Sequence, residues 1–127
     1  MAAVKVYVAG PLFGSGRCTE NVHKALRVAE AVRAAGAFPF VPHLFTQWDM
    51  TFPHADEAYW LDMDKVWLET CQALVVIPGM SPGTRKEEVW AQAAGLHIVG
   101  LPATWQEDSV AILAAKLWGT FQGKGLL

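Results

Sequence analysis

The chain has 127 residues, 53% of them hydrophobic and 17% charged, with a formal net charge of −2. That composition fills one packed core, is too apolar for a disordered chain, and gives no global positive field for holding nucleic acid. Cys18 and Cys71 fit no metal or redox spacing, no signal peptide is evident, and no apolar run approaches a membrane span. The expectation is a single cytoplasmic domain over residues 1–127, with no membrane partner.

Residues 3–9 are β-branched and aromatic and predict a buried strand, stopped by Gly10-Pro11. A glycine-containing loop follows through Gly14 and Gly16. Thr19 or Asn21 is placed to cap a helix whose inward face carries Val22, Ala25, Leu26, Ala29 and Val32, and Gly36 ends it. Phe38 to Val41 predicts a short second strand, and residues 42–56 an irregular loop of the length that often carries function. Asp56 to Thr70 reads as a helix.

Ala73 to Pro78 is continuously apolar, as a strand buried on both faces of a parallel sheet must be. Ser81 and Pro82 open a helix that runs to about Ala94 and closes at Gly95. His97 to Leu101 predicts a fourth strand. Thr104 to Trp118 predicts a last helix with Thr104 and Glu107 as its capping box, leaving residues 119–127 as a loose or assembly-forming tail. Strands alternate with helices throughout. The expected fold is therefore α/β, a doubly wound parallel sheet of four to five strands with helices on both faces.

In such sheets ligands bind beyond the carboxyl ends of the strands. Two strand ends here lead into small, backbone-exposing sequences, Gly10-Pro11-Leu12-Phe13-Gly14-Ser15-Gly16 and Pro78-Gly79-Met80-Ser81-Pro82-Gly83-Thr84. Both offer N–H groups to an anion, and the second runs into a helix N-terminus. Neither is a Walker loop or a dinucleotide fingerprint. Glu87 lies about one turn into that helix, where the dipole favours its ionised form. The run Arg85-Lys86-Glu87-Glu88 taken alone instead describes a solvated face. Asp64 interrupts an apolar stretch of Leu61, Val66, Trp67 and Leu68, so it is either structurally paired or functional. His43 and His54 have no partners at metal spacing, so no metal site is expected. The six tryptophans fit a core and a subunit contact, and His43, Trp48 and Trp60 are candidates to line a pocket for a ring.

In order and spacing, Tyr7-Val8-Ala9-Gly10-Pro11, Asn21, Asp64 with Trp67-Leu68, the strand from Ala73, and Ser81-x-Gly83-x-x-x-Glu87 ahead of Ala91 resemble the nucleoside 2-deoxyribosyltransferase superfamily. The resemblance covers roughly residues 4–101. It implies a flavodoxin-like sheet and a homodimer or homotetramer in which one subunit completes its neighbour's site. It implies Glu87 as the catalytic glutamate and Asp64 as the aspartate beside the scissile bond. Tyr7, Gly10 and Pro11 would line the sugar pocket. Ser81, which is aspartate in the transferases and serine in the nucleotide hydrolases, would contact a 5′-phosphate with Gly14, Gly83 and Thr84. This chain departs from the transferases in carrying Val89 two residues after the glutamate and Gln72 before the third strand.

The expected activity is hydrolysis of the N-glycosidic bond of a nucleoside 5′-monophosphate through a Glu87 nucleophile, with no cofactor. A base-exchanging transferase, a non-catalytic nucleotide-binding module and an assembly protein that uses its tryptophans are the alternatives.

Overall fold

Four parallel strands form one sheet in the order β2-β1-β3-β4. They are β1 (Lys5–Ala9), β2 (Phe38–Phe40), β3 (Ala73–Val76) and β4 (His97–Gly100). The helices are α1 (Cys18–Ala34), α2 (Thr46–Thr51), α3 (Glu57–Leu68), α4 (Pro82–Ala94) and α5 (Val110–Gly123). This computed structural model describes residues 3–12, 18–53, 57–79 and 81–127. The architecture is flavodoxin-like, and the strand order reverses direction between β1 and β3.

Alternation along the strands divides the core in two. Val4, Val6 and Val8 of the β1 segment and Ala73, Val75 and Ile77 of the β3 segment face α1 and α5. There they meet Ala25, Val28 and Val32 of α1 and Leu113, Leu117 and Phe121 of α5. The opposite face is much thinner: Tyr7, Ala9 and Leu74 meet Leu68 and Cys71 at the end of α3 and Ala91 of α4. Tyr7 is therefore turned by strand parity alone toward the two helices that carry Asp64 and Glu87.

Several local signals act as the sequence predicts. Gly36 takes φ 99° at the end of α1, and the Ala37 N–H returns to the Val32 carbonyl while Gly36 N–H bonds Arg33. That closing pattern needs a left-handed residue, which glycine supplies without steric cost. Gly95 does the same for α4 at φ 78°. Other expectations are corrected. The buried stripe of α1 is Asn21, Ala25, Val28, Ala29, Ala31 and Val32, while Leu26 is left exposed. Asn21 is no cap: it sits inside α1, and its Nδ2 donates to the Leu12 carbonyl at 2.9 Å.

The stretch expected to be irregular between Pro42 and Pro53 holds a 3-10 turn, Pro42–Phe45, followed directly by α2. The last helix begins later than its expected capping box. Thr104 makes no side-chain cap, and Glu107 lies in a 3-10 turn, Trp105–Glu107. Ser109 caps α5 instead, accepting from the Ile112 N–H at 3.2 Å. The apolar spacing Leu113, Leu117, Phe121 starts only there, and it carries the helix past Trp118. The tail is consequently not loose: Phe121 is fully buried, and Leu126 and Leu127 pack on the larger core.

No helix among the described residues is long and apolar enough to cross a membrane.

Candidate functional site

At the point where the strand order reverses, the carboxyl ends of β1 and β3 touch. Gly10 lies so close to β3 that a Cβ there would stand 2.9 Å from the Ile77 Cβ. Gly79, at φ 150°, packs against the Pro11 ring, where any side chain would collide. These two glycines let the turns close on each other, which is the reason for a glycine at each position.

His43 fixes the first turn. It is 2% exposed, and its Nε2 lies 3.2 Å from the carbonyls of both Gly10 and Pro11. Two carbonyls can only accept, so Nε2 carries the proton and Nδ1 is left as a bare acceptor. Burial holds the imidazole below its usual pKa, with the two backbone bonds acting weakly against it. His43 thus has a structural role in holding this turn.

On the other side of the cleft, α4 begins at Ser81, whose hydroxyl accepts from the Thr84 N–H at 3.4 Å. Pro82 and Gly83 occupy the first turn, and Thr84 and Glu87 are three residues apart on the same helix face. Both are buried, at 3% and 8% exposure. Glu87 is therefore no surface carboxylate. The charge run divides instead, with Arg85 and Lys86 outward and Glu87 inward.

The inward position changes the electrostatics expected of it. Burial pushes Glu87 up to about 8, with the Tyr7 hydroxyl pulling down and the Asp64 charge pushing up further. Desolvation outweighs the favourable field of the helix N-terminus, which falls off within a turn. Asp64, on the facing helix α3, is likewise raised to about 7 by burial. Burial and the neighbouring Glu87 and Asp64 hold the Tyr7 proton on well above the usual phenol range. The hydroxyl is turned toward Glu87 closely enough to favour its charged form. Its geometry falls short of a full hydrogen bond and leaves the oxygen unpartnered.

Among the described residues, the buried side-chain polar atoms without a hydrogen-bond partner are Tyr7 Oη, His43 Nδ1, Asp64 Oδ1 and Thr84 Oγ1. Buried polar atoms are nearly always satisfied. Of these residues, Tyr7 and Asp64 interact with Glu87, Thr84 shares the buried face of α4 with Glu87, and His43 holds the adjoining turn.

A run of aromatic rings leads outward from Tyr7, and sequence reasoning recovered only part of it. Tyr7 packs on Phe40 at 5.4 Å. Phe40 stacks on Trp67 at 5.7 Å and meets Phe45 edge-on at 5.8 Å. Phe45 stacks on Trp60 at 5.7 Å, and Trp60 meets Trp48 edge-on at 4.9 Å. Trp48 is thus joined to the site through Phe45 and Phe40, not by direct approach to Tyr7. Phe40 and Phe45 were missed; the alternation Phe38-x-Phe40, with Phe38 exposed, was the available signal. Gly14 falls outside the described residues.

A cavity of about 490 Å³ lies elsewhere, between β4 and α5, and none of the candidate residues lines it. The charged groups lining it, Asp108 and Lys116, are paired with each other at 2.8 Å, so the cleft at the strand ends is the better candidate. No group of three or more His, Cys, Asp or Glu among the described residues is placed to hold a metal ion.

Residues 4–100 match the model of a protein family described as a domain of unknown function, DUF7768, and the chain belongs to that family. No curated protein matches it. Among solved structures it is similar to a conserved protein from Enterococcus faecalis V583, with a TM-score of 0.64 and 22% identity over 91% of this chain and 73% of that one. At that identity the likeness is one of fold.

Proposed function

We propose that this DUF7768 member cleaves the N-glycosidic bond of a nucleoside 5′-monophosphate in the cytoplasm, with Glu87 as nucleophile and Asp64 as general acid. The observation that carries the reading is the pair of carboxylates buried in one cleft, ringed by unpartnered polar atoms, at the reversal point of the sheet.

Each part has a task. The Glu87 carboxylate attacks C1′ and forms a glycosyl ester as the bond from C1′ to the base nitrogen breaks. The electron pair leaves with the base, and Asp64, titrating near neutrality, gives that nitrogen its proton. Water then attacks C1′, its proton returning to Asp64, and Glu87 is released. The two carboxyls titrate as a coupled pair: with Glu87 at about 8 and Asp64 at about 7 the empty site keeps the shared proton on Glu87, and the productive state moves it to Asp64 and leaves the charge on Glu87. The Tyr7 hydroxyl and the cationic character that grows at C1′ both favour that distribution. Tyr7, Gly10 and Pro11 border the sugar. Ser81, Gly83 and Thr84 offer a helix N-terminus and hydroxyl groups to the phosphate. The rings from Phe40 to Trp48 supply apolar surface for the base. A second base in place of water would make the same chemistry a transfer. The exposed Val66, Trp67 and Val89 provide apolar surface for the subunit contact of a homodimer or homotetramer.

The test is release of free base from a panel of ribo- and deoxyribonucleoside monophosphates by wild type and Glu87→Ala. Release by wild type that falls at least a thousandfold in the variant supports the reading. Equal release by both, or binding without release by wild type, overturns it, and the second outcome identifies a nucleotide-binding module.

A further inference from the structure

β4 ends the sheet on one side, and its free edge has an unusual closure. The His97 N–H donates to the Gln72 carbonyl and the Leu101 N–H to the Val76 carbonyl. In a parallel ladder successive residues bond in alternate directions. His97, Val99 and Leu101 therefore face β3, and Ile98 and Gly100 turn both N–H and C=O outward. The edge goes no further in either direction. The Leu96 N–H is taken by the Ala91 carbonyl, and the Pro102 carbonyl is taken by the Trp105 N–H. Pro102 has no N–H of its own. Apart from the Leu96 carbonyl at the start of the strand, the groups that remain are the N–H and C=O of Ile98 and of Gly100, two donors and two acceptors on two residues separated by one.

That set is its own complement. About a two-fold axis through Val99, Ile98 of one copy and Gly100 of another exchange two hydrogen bonds, and Gly100 and Ile98 exchange two more. The side chains agree with this register. The half-buried Ile98 falls opposite a glycine whose Cβ position has nothing within 4 Å, so bulk meets space twice. On the other face the exposed His97 of one copy falls opposite Leu101 of the other. That is the mouth of the cavity lined by Leu101, Trp105, Asp108 and Lys116, where the Asp108 carboxylate is paired with the Lys116 ammonium of its own chain at 2.8 Å. Gly119 lines the same cavity and also has nothing within 4 Å of its Cβ position, so α5 does not obstruct the approach.

We propose that β4 is the seam of a two-fold assembly in which a second copy of this chain adds its β4 antiparallel to the first, joining the two sheets into one. The occupant is a second copy because the donor and acceptor spacing and the pairing of Ile98 with Gly100 are both met by this chain itself. The seam is independent of the reading of the cleft.

The test is sedimentation equilibrium of the full chain over a hundredfold concentration range, with two variants. Gly100→Pro deletes an outward N–H and leaves the bonds to β3 in place. It is expected to weaken self-association by roughly tenfold or more with an unchanged circular dichroism spectrum. Val99→Cys places two thiols across the axis, and it is expected to form a disulfide-linked dimer in air that wild type, with Cys18 and Cys71, does not form. A wild type that is monomeric throughout overturns the proposal. So does an assembly held equally well by Gly100→Pro and not cross-linked by Val99→Cys, which places the contact on another face. Should Gly100→Pro fail to fold, the cross-link alone decides.

Discussion

The Tyr7 hydroxyl and the Glu87 carboxyl share one buried space between β1 and α4, where the carboxyl opposes ionisation of the phenol and the phenol favours ionisation of the carboxyl. The phenol stays protonated because a charge on it would face Glu87 and Asp64. The protonated phenol in turn is the group that favours a charged Glu87. Tyr7→Phe removes that influence without changing the packing against Phe40. The acid limb of the pH–rate profile for base release is expected to move to higher pH. At pH 7 the rate should fall on the order of tenfold, equivalent to about 1.4 kcal/mol. A profile that drops uniformly without moving would show that Tyr7 does not act through Glu87.

The raised carboxyls make a statement about stability as well. Glu87 has a folded value of about 8 and an ordinary value near 4.5, so the folded state holds its proton more tightly than the unfolded chain does. Its contribution is fully present below the ordinary value and is lost as pH rises through the folded one. Glu87→Gln keeps the shape and removes the titration. The variant is expected to outlast wild type in thermal or denaturant unfolding at pH 8, by on the order of 3 kcal/mol, and to match it near pH 4. Asp64→Asn should behave alike, with its gain complete nearer pH 7.

His43 runs the other way. Its folded value lies below the ordinary one because burial disfavours the imidazolium. Its stability is present above about pH 6.5 and is lost as pH falls through the depressed value. Replacing it by alanine also frees the Gly10 and Pro11 carbonyls from a buried donor. His43→Ala is expected to cost about 2 kcal/mol at pH 7.5 and less at pH 5, read by urea titration at both. A deficit that grows on acidification would contradict the assigned tautomer and its burial.

The two close approaches between the turns give a fourth expectation. Gly10→Ala sets a methyl 2.9 Å from the Ile77 Cβ, and Gly79→Ala sets one against the Pro11 ring at a φ of 150°. Each is expected to destabilise by about 1–3 kcal/mol. Both should also weaken binding of a nucleoside monophosphate measured calorimetrically. Gly119→Ala, with open space around it, should leave both quantities nearly unchanged.

Much of this was legible in the chain because strand runs and glycine stops are local. Val6-Tyr7-Val8 could hardly be anything but a buried strand, and Gly36 and Gly95 sit where helices must end. What failed depended on tertiary choice. Thr104 and Glu107 satisfied the capping pattern, but the apolar period that a helix must follow starts at Val110, and Ser109 won. The segment after Pro42 seemed irregular because its rings pack on one another and not along a helical stripe. For the candidate site, the family resemblance grouped Tyr7, Asp64, Ser81, Thr84 and Glu87, and of these Tyr7, Asp64 and Glu87 lie close enough to influence one another's charge. The local charge run misrepresented the burial of Glu87, since a four-residue window cannot tell which direction faces the sheet. The raised carboxyl values were equally out of reach, because they arise from desolvation by residues distant in the chain.

The unequal faces of the sheet have a consequence for how this molecule tolerates change. The face covered by α1 and α5 carries the larger apolar cluster, and the face covered by α3 and α4 carries the cleft over a much smaller one. The larger apolar cluster and the candidate cleft thus lie on opposite sides of one sheet. Exposed side chains on the cleft side are expected to be exchangeable, whereas Tyr7, Leu68 and Leu74 beneath them are fully buried and Gly10 and Gly79 hold the turns closed. Libraries aimed at the candidate cleft should therefore be confined to exposed positions of α3 and α4 and should leave Gly10 and Gly79 unchanged.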